Sequence, residues 1–158
     1  MGTEIERKFL PKGEEWRRVV DSSGVLIRQG YLSSASGCTV RVRVAGEGAW
    51  ITVKGMTVGA SRPEFEYPIP PGDAAFMLDA LCEKPLIEKR RFVVRGNGCA
   101  FEIDEFYGEN AGLVLVEVEL TSEDQVVEIP RWIGEEVTGD ARYRNSSLAR
   151  YPYSRWEG

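Results

Sequence analysis

The chain has 158 residues, 42% of them hydrophobic and 28% charged, with a net charge of −5, which suits a single domain over 1–158 with a sizeable core. The acidic balance argues against a general nucleic-acid binder, which would be basic, and no apolar run approaches the ~20 residues needed to cross a bilayer. There is no histidine and there are only three cysteines, Cys38, Cys82 and Cys99, which removes Ser-His-Asp and Cys-His catalysis and argues against a typical zinc site.

The N-terminus shows no basic-then-apolar leader pattern. The odd, unspaced cysteines read as reduced thiols, so a cytoplasmic location is expected. Any metal would be held by carboxylates, which favours Mg²⁺ or Mn²⁺.

The opening stretch, Met1-Gly2-Thr3-Glu4-Ile5-Glu6-Arg7-Lys8, reads as a strand. Alternation places Glu4, Glu6 and Lys8 on one face. Burying two carboxylates and an ammonium is costly unless something pairs with them; taken alone, the stretch fits a solvated edge strand as well. Pro11-Lys12-Gly13 ends it, and 14–20 reads as a short helix with Trp16, Val19 and Val20 as its apolar side. Asp21-Ser22-Ser23-Gly24 is a turn.

Residues 25–32 form a second expected strand, followed by a turn over 33–37. Residues 38–45 alternate Val40, Val42 and Val44 against Arg41 and Arg43. After Gly46-Glu47-Gly48 the chain returns over 49–54, with Thr52 and Lys54 on one face. The strand expected over 62–69 sets Glu64 and Glu66 against Phe65 and Tyr67.

A helix is expected after Pro70-Pro71-Gly72, with Phe76, Met77, Leu78 and Leu81 as its apolar face. Pro85 closes it. Three more strands follow: 86–95 with Lys89 and Arg91 on one face, 99–106 with Glu102 and Asp104 together, and 113–120 with Glu117 and Glu119 opposite Val116, Val118 and Leu120. Gly96-Asn97-Gly98 is the turn between the first two. The periodicity then predicts helix over 131–138 and again over 141–151.

About eight strands thus share one design, a charged face and an apolar face. Antiparallel strands with one solvated side would show the same alternation. Here, however, the charges are sorted by sign within each strand, and few helices exist to cover a broad apolar sheet. A closed barrel accommodates both facts. Closure removes the edges, and eight strands leave room for one small ligand. Its interior would carry a basic set (Lys8, Arg41, Arg43, Lys54, Lys89, Arg91) and an acidic set (Glu4, Glu6, Glu64, Glu66, Glu102, Asp104, Glu117, Glu119). The first suits a phosphate chain and the second suits divalent cations.

Glu4-Ile5-Glu6-Arg7-Lys8 resembles the Glu-x-Glu-x-Lys signature of the CYTH, or triphosphate tunnel metalloenzyme, superfamily. The resemblance covers nearly the whole chain. Arg28-Gln29-Gly30-Tyr31-Leu32, Arg41-x-Arg43, Lys54, Glu64-x-Glu66, Lys89-x-Arg91, Asp104 and Glu117-x-Glu119 fall in the family's order. Glu136-Val137-Thr138-Gly139-Asp140 with Arg142-Tyr143-x-Asn145 resembles its C-terminal segment. The size and ending are most similar to short bacterial tripolyphosphatase-like members.

The resemblance implies a mainly β (α+β) fold: a closed eight-stranded antiparallel barrel with a few short helices packed outside and at the C-terminal end. It implies metal-dependent hydrolysis of a triphosphate, inorganic tripolyphosphate above nucleoside triphosphates, with Mg²⁺ or Mn²⁺. Lys8, Arg41, Arg43, Lys54, Lys89, Arg91 and Arg142 are expected to bind substrate. Glu4, Glu6, Glu117 and Glu119 are expected to hold metal, joined by Glu64, Glu66 and Asp104 either directly or by orienting the cations. Lys8, Glu117 and Glu119 are the expected catalytic groups. Adenylate cyclase or thiamine triphosphatase activity on the same fold remains an alternative, and so does a non-catalytic polyphosphate- or nucleotide-binding module. The expected partner is a small-molecule triphosphate, with no nucleic acid and no membrane. Oligomeric state is left open, a homodimer included.

Overall fold

In the computed structural model, residues 2–20, 23–35, 37–96 and 98–156 are described. Parts of the expected turns, at Asp21, Ser22, Ser36 and Asn97, lie outside them, as does Met1 of the opening stretch. The first strand, β1, runs over Gly2–Pro11 and is followed by the one-turn helix α1, Trp16–Val19. Then come β2 (Val25–Ala35), β3 (Cys38–Ala45), β4 (Gly48–Gly55) and β5 (Ser61–Pro68). Helix α2 (Pro71–Phe76) leads to β6 (Ile87–Arg95), β7 (Ala100–Phe106) and β8 (Val114–Glu119). A ninth strand, β9 (Ile133–Glu136), and helix α3 (Asn145–Arg150) complete the chain.

Eight strands pair in the order β5-β4-β3-β2-β6-β7-β8-β1, and β1 pairs back onto β5 to close the ring. Every pairing is antiparallel. β1 holds the closure together. One edge meets β8 over Glu6–Phe9 and the other meets β5 over Gly2–Ile5. Beyond Ile5 the β5 edge is vacated, and β9 takes it: Lys8 O accepts from Val137 N at 2.8 Å and Lys12 N donates to Trp132 O at 2.8 Å.

This overturns the helix expected over 131–138. An open strand edge beside β1 needs ladder partners, and that demand outweighs the local pattern. Two smaller differences have equally local causes. β2 runs on to Ala35, because Ser34 and Ala35 pair with Thr39 and Cys38. The C-terminal helix is divided: a 3₁₀ turn at Ala141–Tyr143 and α3 are separated by Arg144, whose backbone is extended (φ −69°, ψ 138°).

The apolar faces point outward, and two of them are covered by packed clusters. Phe9, Phe101, Ile103, Val116 and Val118 pack under Trp16 of α1 and under Trp132 and Ile133. Val42 and Ala49 pack under Ala74, Leu78 and Cys82. This segment therefore binds through Ala74 of α2 and Leu78 just beyond it, while Phe76 and Leu81 of the expected apolar face are 64% and 58% exposed. Residues Met77–Leu81 form a wider π turn, which rotates the last turn away from the phase that α-helical spacing predicts. The close approach needs Gly30 on β2, where a Cβ would come within 2.8 Å of Cys82 Cβ.

A third cluster closes one end of the barrel. On β6, β7 and β8 the inward row changes from charge to Ile87, Phe106 and Leu115, which meet Tyr31. Val137, Tyr143, Leu148 and Ala149 from the C-terminal segment seal them.

Candidate active site

Above that closed end the barrel interior is a cavity of about 200 Å³. It exists because period-two alternation brings a charged row inward from seven of the eight barrel strands, β2 contributing Tyr31 instead. Glu4, Glu6 and Lys8 enter from β1, Arg41 and Arg43 from β3, Lys54 from β4, and Glu64 and Glu66 from β5. Lys89 and Arg91 enter from β6, Glu102 from β7, and Glu117 and Glu119 from β8.

Side chains of Lys89, Arg41 and Lys8 are 1%, 9% and 10% exposed. The carboxylates divide: Glu4 and Glu117 are as buried as these cations, whereas Glu64, Glu66 and Glu102 are 30%, 43% and 40% exposed.

The buried cations are anchored individually. Arg91 grips Asp104 with Nε at 2.8 Å and Nη2 at 2.9 Å, and Lys89 Nζ lies 2.8 Å from the same carboxylate. Arg41 Nη2 donates to Thr52 Oγ1 at 3.2 Å, and Thr52 donates on to Glu66 at 2.8 Å. Arg43 Nε donates to Gln29 at 2.8 Å. Lys54 Nζ sits between Glu4 at 2.9 Å and Glu64 at 3.5 Å, and Lys8 Nζ lies 3.8 Å from both Glu6 and Glu117.

A model of the CYTH domain matches residues 2–151. The chain belongs to the CYTH domain family. Across 157 residues this CYTH chain is 48% identical to a protein of Acetivibrio thermocellus named inorganic triphosphatase, which covers 99% of both chains. A protein of Nitrosomonas europaea with the same name is 40% identical over 155 residues, covering 93% of this chain and 97% of the relative. A crystal structure of an inorganic triphosphatase superposes with a TM-score of 0.64 at 36% identity, covering 92% of this chain and 97% of the other.

Two expected site residues stand elsewhere in the CYTH barrel. Asp104 is 1% exposed and lies behind Lys89 and Arg91 rather than on the cavity wall. Arg142 turns outward, forks onto Asp140 at 2.6 Å and lies over Trp156, its side chain 57% exposed. Arg144, two residues on, lines the cavity instead, and so does Arg62 on β5. Arg62 shares the alternation phase of Glu64 and Glu66, which would have found it. Arg144 lies in a break between helical turns, where no period applies.

The environment divides the carboxylates. Burial pushes Glu6 well above the carboxylate range, helped by Glu117 and Glu4 and opposed by Lys8. Burial, with Glu4 and Glu64 nearby, pushes Glu119 up to about 7 despite the hydrogen bond from Ile5 N. Glu117 is more deeply buried than Glu119, but Lys8, Arg91 and Lys89 bring it down to about 2. Burial works against the Lys8 ammonium, yet Glu117, Glu6 and Glu4 outweigh it and raise Lys8. Lys89 is pushed down to about 7 by burial and by Arg91 and Arg43, with Asp104 opposing. Arg43 falls to about 9 through burial and its neighbours Arg41 and Arg91, and so stays charged at neutral pH.

Glu4, Glu6 and Glu119 present oxygens within 4.8 Å of one another. Three hard oxygen donors under mutual repulsion fit a divalent cation of the Mg²⁺ or Mn²⁺ class. No helix among the described residues is long and apolar enough to cross a membrane.

Proposed function

We propose that this barrel hydrolyses inorganic triphosphate to pyrophosphate and orthophosphate, with nucleoside triphosphates as weaker substrates, using Mg²⁺ or Mn²⁺. The observation that carries the reading is the meeting of a basic set and a carboxylate trio on the walls of one cavity. The buried cations have the chemistry to hold a phosphate chain, and Glu4, Glu6 and Glu119 have the chemistry to hold a cation against it. The two relatives named inorganic triphosphatase support the same substrate.

Phosphoryl transfer asks mainly for charge neutralisation and alignment. Lys8, Arg41, Arg43, Lys54, Lys89 and Arg91 bind and align the phosphate oxygens, and ion pairs such as those of Asp104 with Lys89 and Arg91 hold them in place. Lys8 stays protonated through neutral pH because of Glu6 and Glu117, and so can steady charge that grows on the transferred group. Glu4, Glu6 and Glu119 would hold the cation, with ionised Glu117 beside Lys8 as a further member. Bound there, the cation would offset charge on the phosphate oxygens and make water a stronger nucleophile. Glu119 and Glu117 would orient the attacking water. Glu64 and Glu66 steady Lys54 and Arg41.

The test is phosphate release from tripolyphosphate, ATP and thiamine triphosphate, each with Mg²⁺ and with Mn²⁺, plus an assay for cyclic AMP. Fastest release from tripolyphosphate is expected. Binding of all three without turnover would leave a binding module, and cyclic AMP as the main product would make the chain a cyclase.

A further inference from the structure

Two side-chain amides tie the basic half of the cavity to the C-terminal segment. Arg43 Nε donates to Gln29 Oε1 at 2.8 Å. A guanidinium has donors only, so this contact fixes the buried Gln29 amide with its oxygen toward Arg43. Gln29 Nε2 must then donate, and it does so to Asn145 Oδ1 at 3.0 Å. Lys89 Nζ donates to the same oxygen at 2.8 Å, and an ammonium also has donors only.

Two donors on Oδ1 fix the second amide in turn. Asn145 Nδ2 is thereby kept as a donor, and among the described residues no protein acceptor meets it. Asn145 lines the cavity. We propose that Asn145 contacts the substrate, its Nδ2 donating to an oxygen of the bound phosphate chain. Gln29 is a positioning residue that determines which end of the Asn145 amide is presented. This contact rests on the triphosphate reading above.

The chemistry favours an amide at this point. Arg43, Lys89 and Arg91 already crowd the floor, and a further cation would raise their repulsion whenever the cavity is empty. A neutral N–H adds a directed contact without that charge. It also couples substrate to the segment that seals the barrel, since Asn145 begins α3.

Triphosphate affinity is measured by calorimetry in chelator, with melting temperature and KM alongside. Asn145→Asp keeps an oxygen for Lys89 and Gln29 but removes the N–H. Ser146→Asp adds the same charge at the next cavity-lining residue and leaves the amide intact. The expected result is a parental melting temperature for Asn145→Asp and an affinity loss about tenfold beyond that of Ser146→Asp, the scale of one hydrogen bond to a charged group. Asn145→Ala should also lose about tenfold in affinity. Gln29→Glu still accepts from Arg43 but offers no donor, so Asn145 Nδ2 turns to the new carboxylate and KM rises with kcat little changed. Equal losses in the two aspartate variants, or parental affinity in Asn145→Ala, overturn the contact alone. A parent that binds no triphosphate overturns the substrate reading and the contact with it.

Discussion

Arg91 and Asp104 face each other across the β6–β7 ladder and meet through two parallel contacts of 2.8 and 2.9 Å. Burial alone would raise the Asp104 carboxyl, but Arg91 and Lys89 outweigh it and hold it well below the usual range. One carboxylate thus pairs with two cations behind the cavity wall.

Asp104→Asn therefore acts through those cations. It leaves Lys89 buried without a counter-ion and Arg91 with only Glu102 at 3.4 Å, which costs about 3–5 kcal/mol for a pair of this kind. Thermal unfolding in chelator should show a large loss of stability, and kcat/KM should fall as Arg91 loses its anchor. Half-saturation by Mg²⁺ should stay near the parent's. A collapse of metal affinity at unchanged stability would return Asp104 to the metal ligands.

Arg142 and Arg144 separate cleanly. Arg142 is tied to Asp140 at the surface, and an exposed pair of this sort contributes little. Arg142→Ala should leave turnover and KM near parental values. Arg144 reaches the cavity, so Arg144→Ala should raise KM for tripolyphosphate about tenfold, the scale of one charged contact. Steady-state kinetics on the two variants decide it, and the reverse ranking would mean that Arg142 swings inward on binding.

The barrel was legible because eight strands repeat one alternation, and closure is the one arrangement that hides every edge while keeping charge inside. Twelve of the residues read as site members carry that alternation into the cavity wall. What failed lacked a period or depended on a neighbour distant in sequence. β9 forms because β1 has a vacant edge, which no local pattern at 133–136 records. Asp104 shares the inward phase and stands in the second of its two expected places, behind Lys89 and Arg91. Arg142 was read in place of Arg144 because the break between the two C-terminal helical turns has no repeat to count.

Lys8 should matter for the reaction first. Its Nζ stands between Glu6 and Glu117 and is nearly buried. Lys8→Ala should lower kcat/KM by about ten- to a hundred-fold, matching ~1.5–3 kcal/mol for a hydrogen bond to a charged group. The two carboxylates then face each other unscreened, so a modest drop in melting temperature in chelator is also expected. Full activity in this variant would sink the assignment.

Chelator should abolish turnover, and Mg²⁺ or Mn²⁺ should restore it. The trio of carboxylates offers oxygen donors without imidazole or thiolate, a set suited to hard cations. Zn²⁺ alone should restore little. Phosphate release that persists in excess chelator would remove the cation from the reaction.

Glu117 and Glu119 share one face of β8, yet replacing them should move stability in opposite directions. Glu117 is drawn down to about 2 by Lys8 and the cations beyond it, against its own burial. A depressed carboxyl contributes stability that is present above its ordinary value of 4.5 and is lost as pH falls toward 2. Glu119 is pushed up to about 7 by burial and by Glu4 and Glu64. For a raised carboxyl the sign reverses: the folded chain holds the proton more tightly, so stability declines as pH rises from 4.5 to about 7. In chelator at neutral pH, Glu119→Gln should therefore raise the melting temperature and flatten its decline between those limits. Glu117→Gln should lower it, because Lys8 loses a partner. Both variants should lose turnover by orders of magnitude, and Glu119→Gln should need more Mg²⁺ for half-saturation. Thermal unfolding against pH in chelator, with turnover against Mg²⁺, measures all of this. If the two variants shift stability in the same direction and turn over tripolyphosphate like the parent, β8 presents a solvated face and the cavity is not the site of reaction.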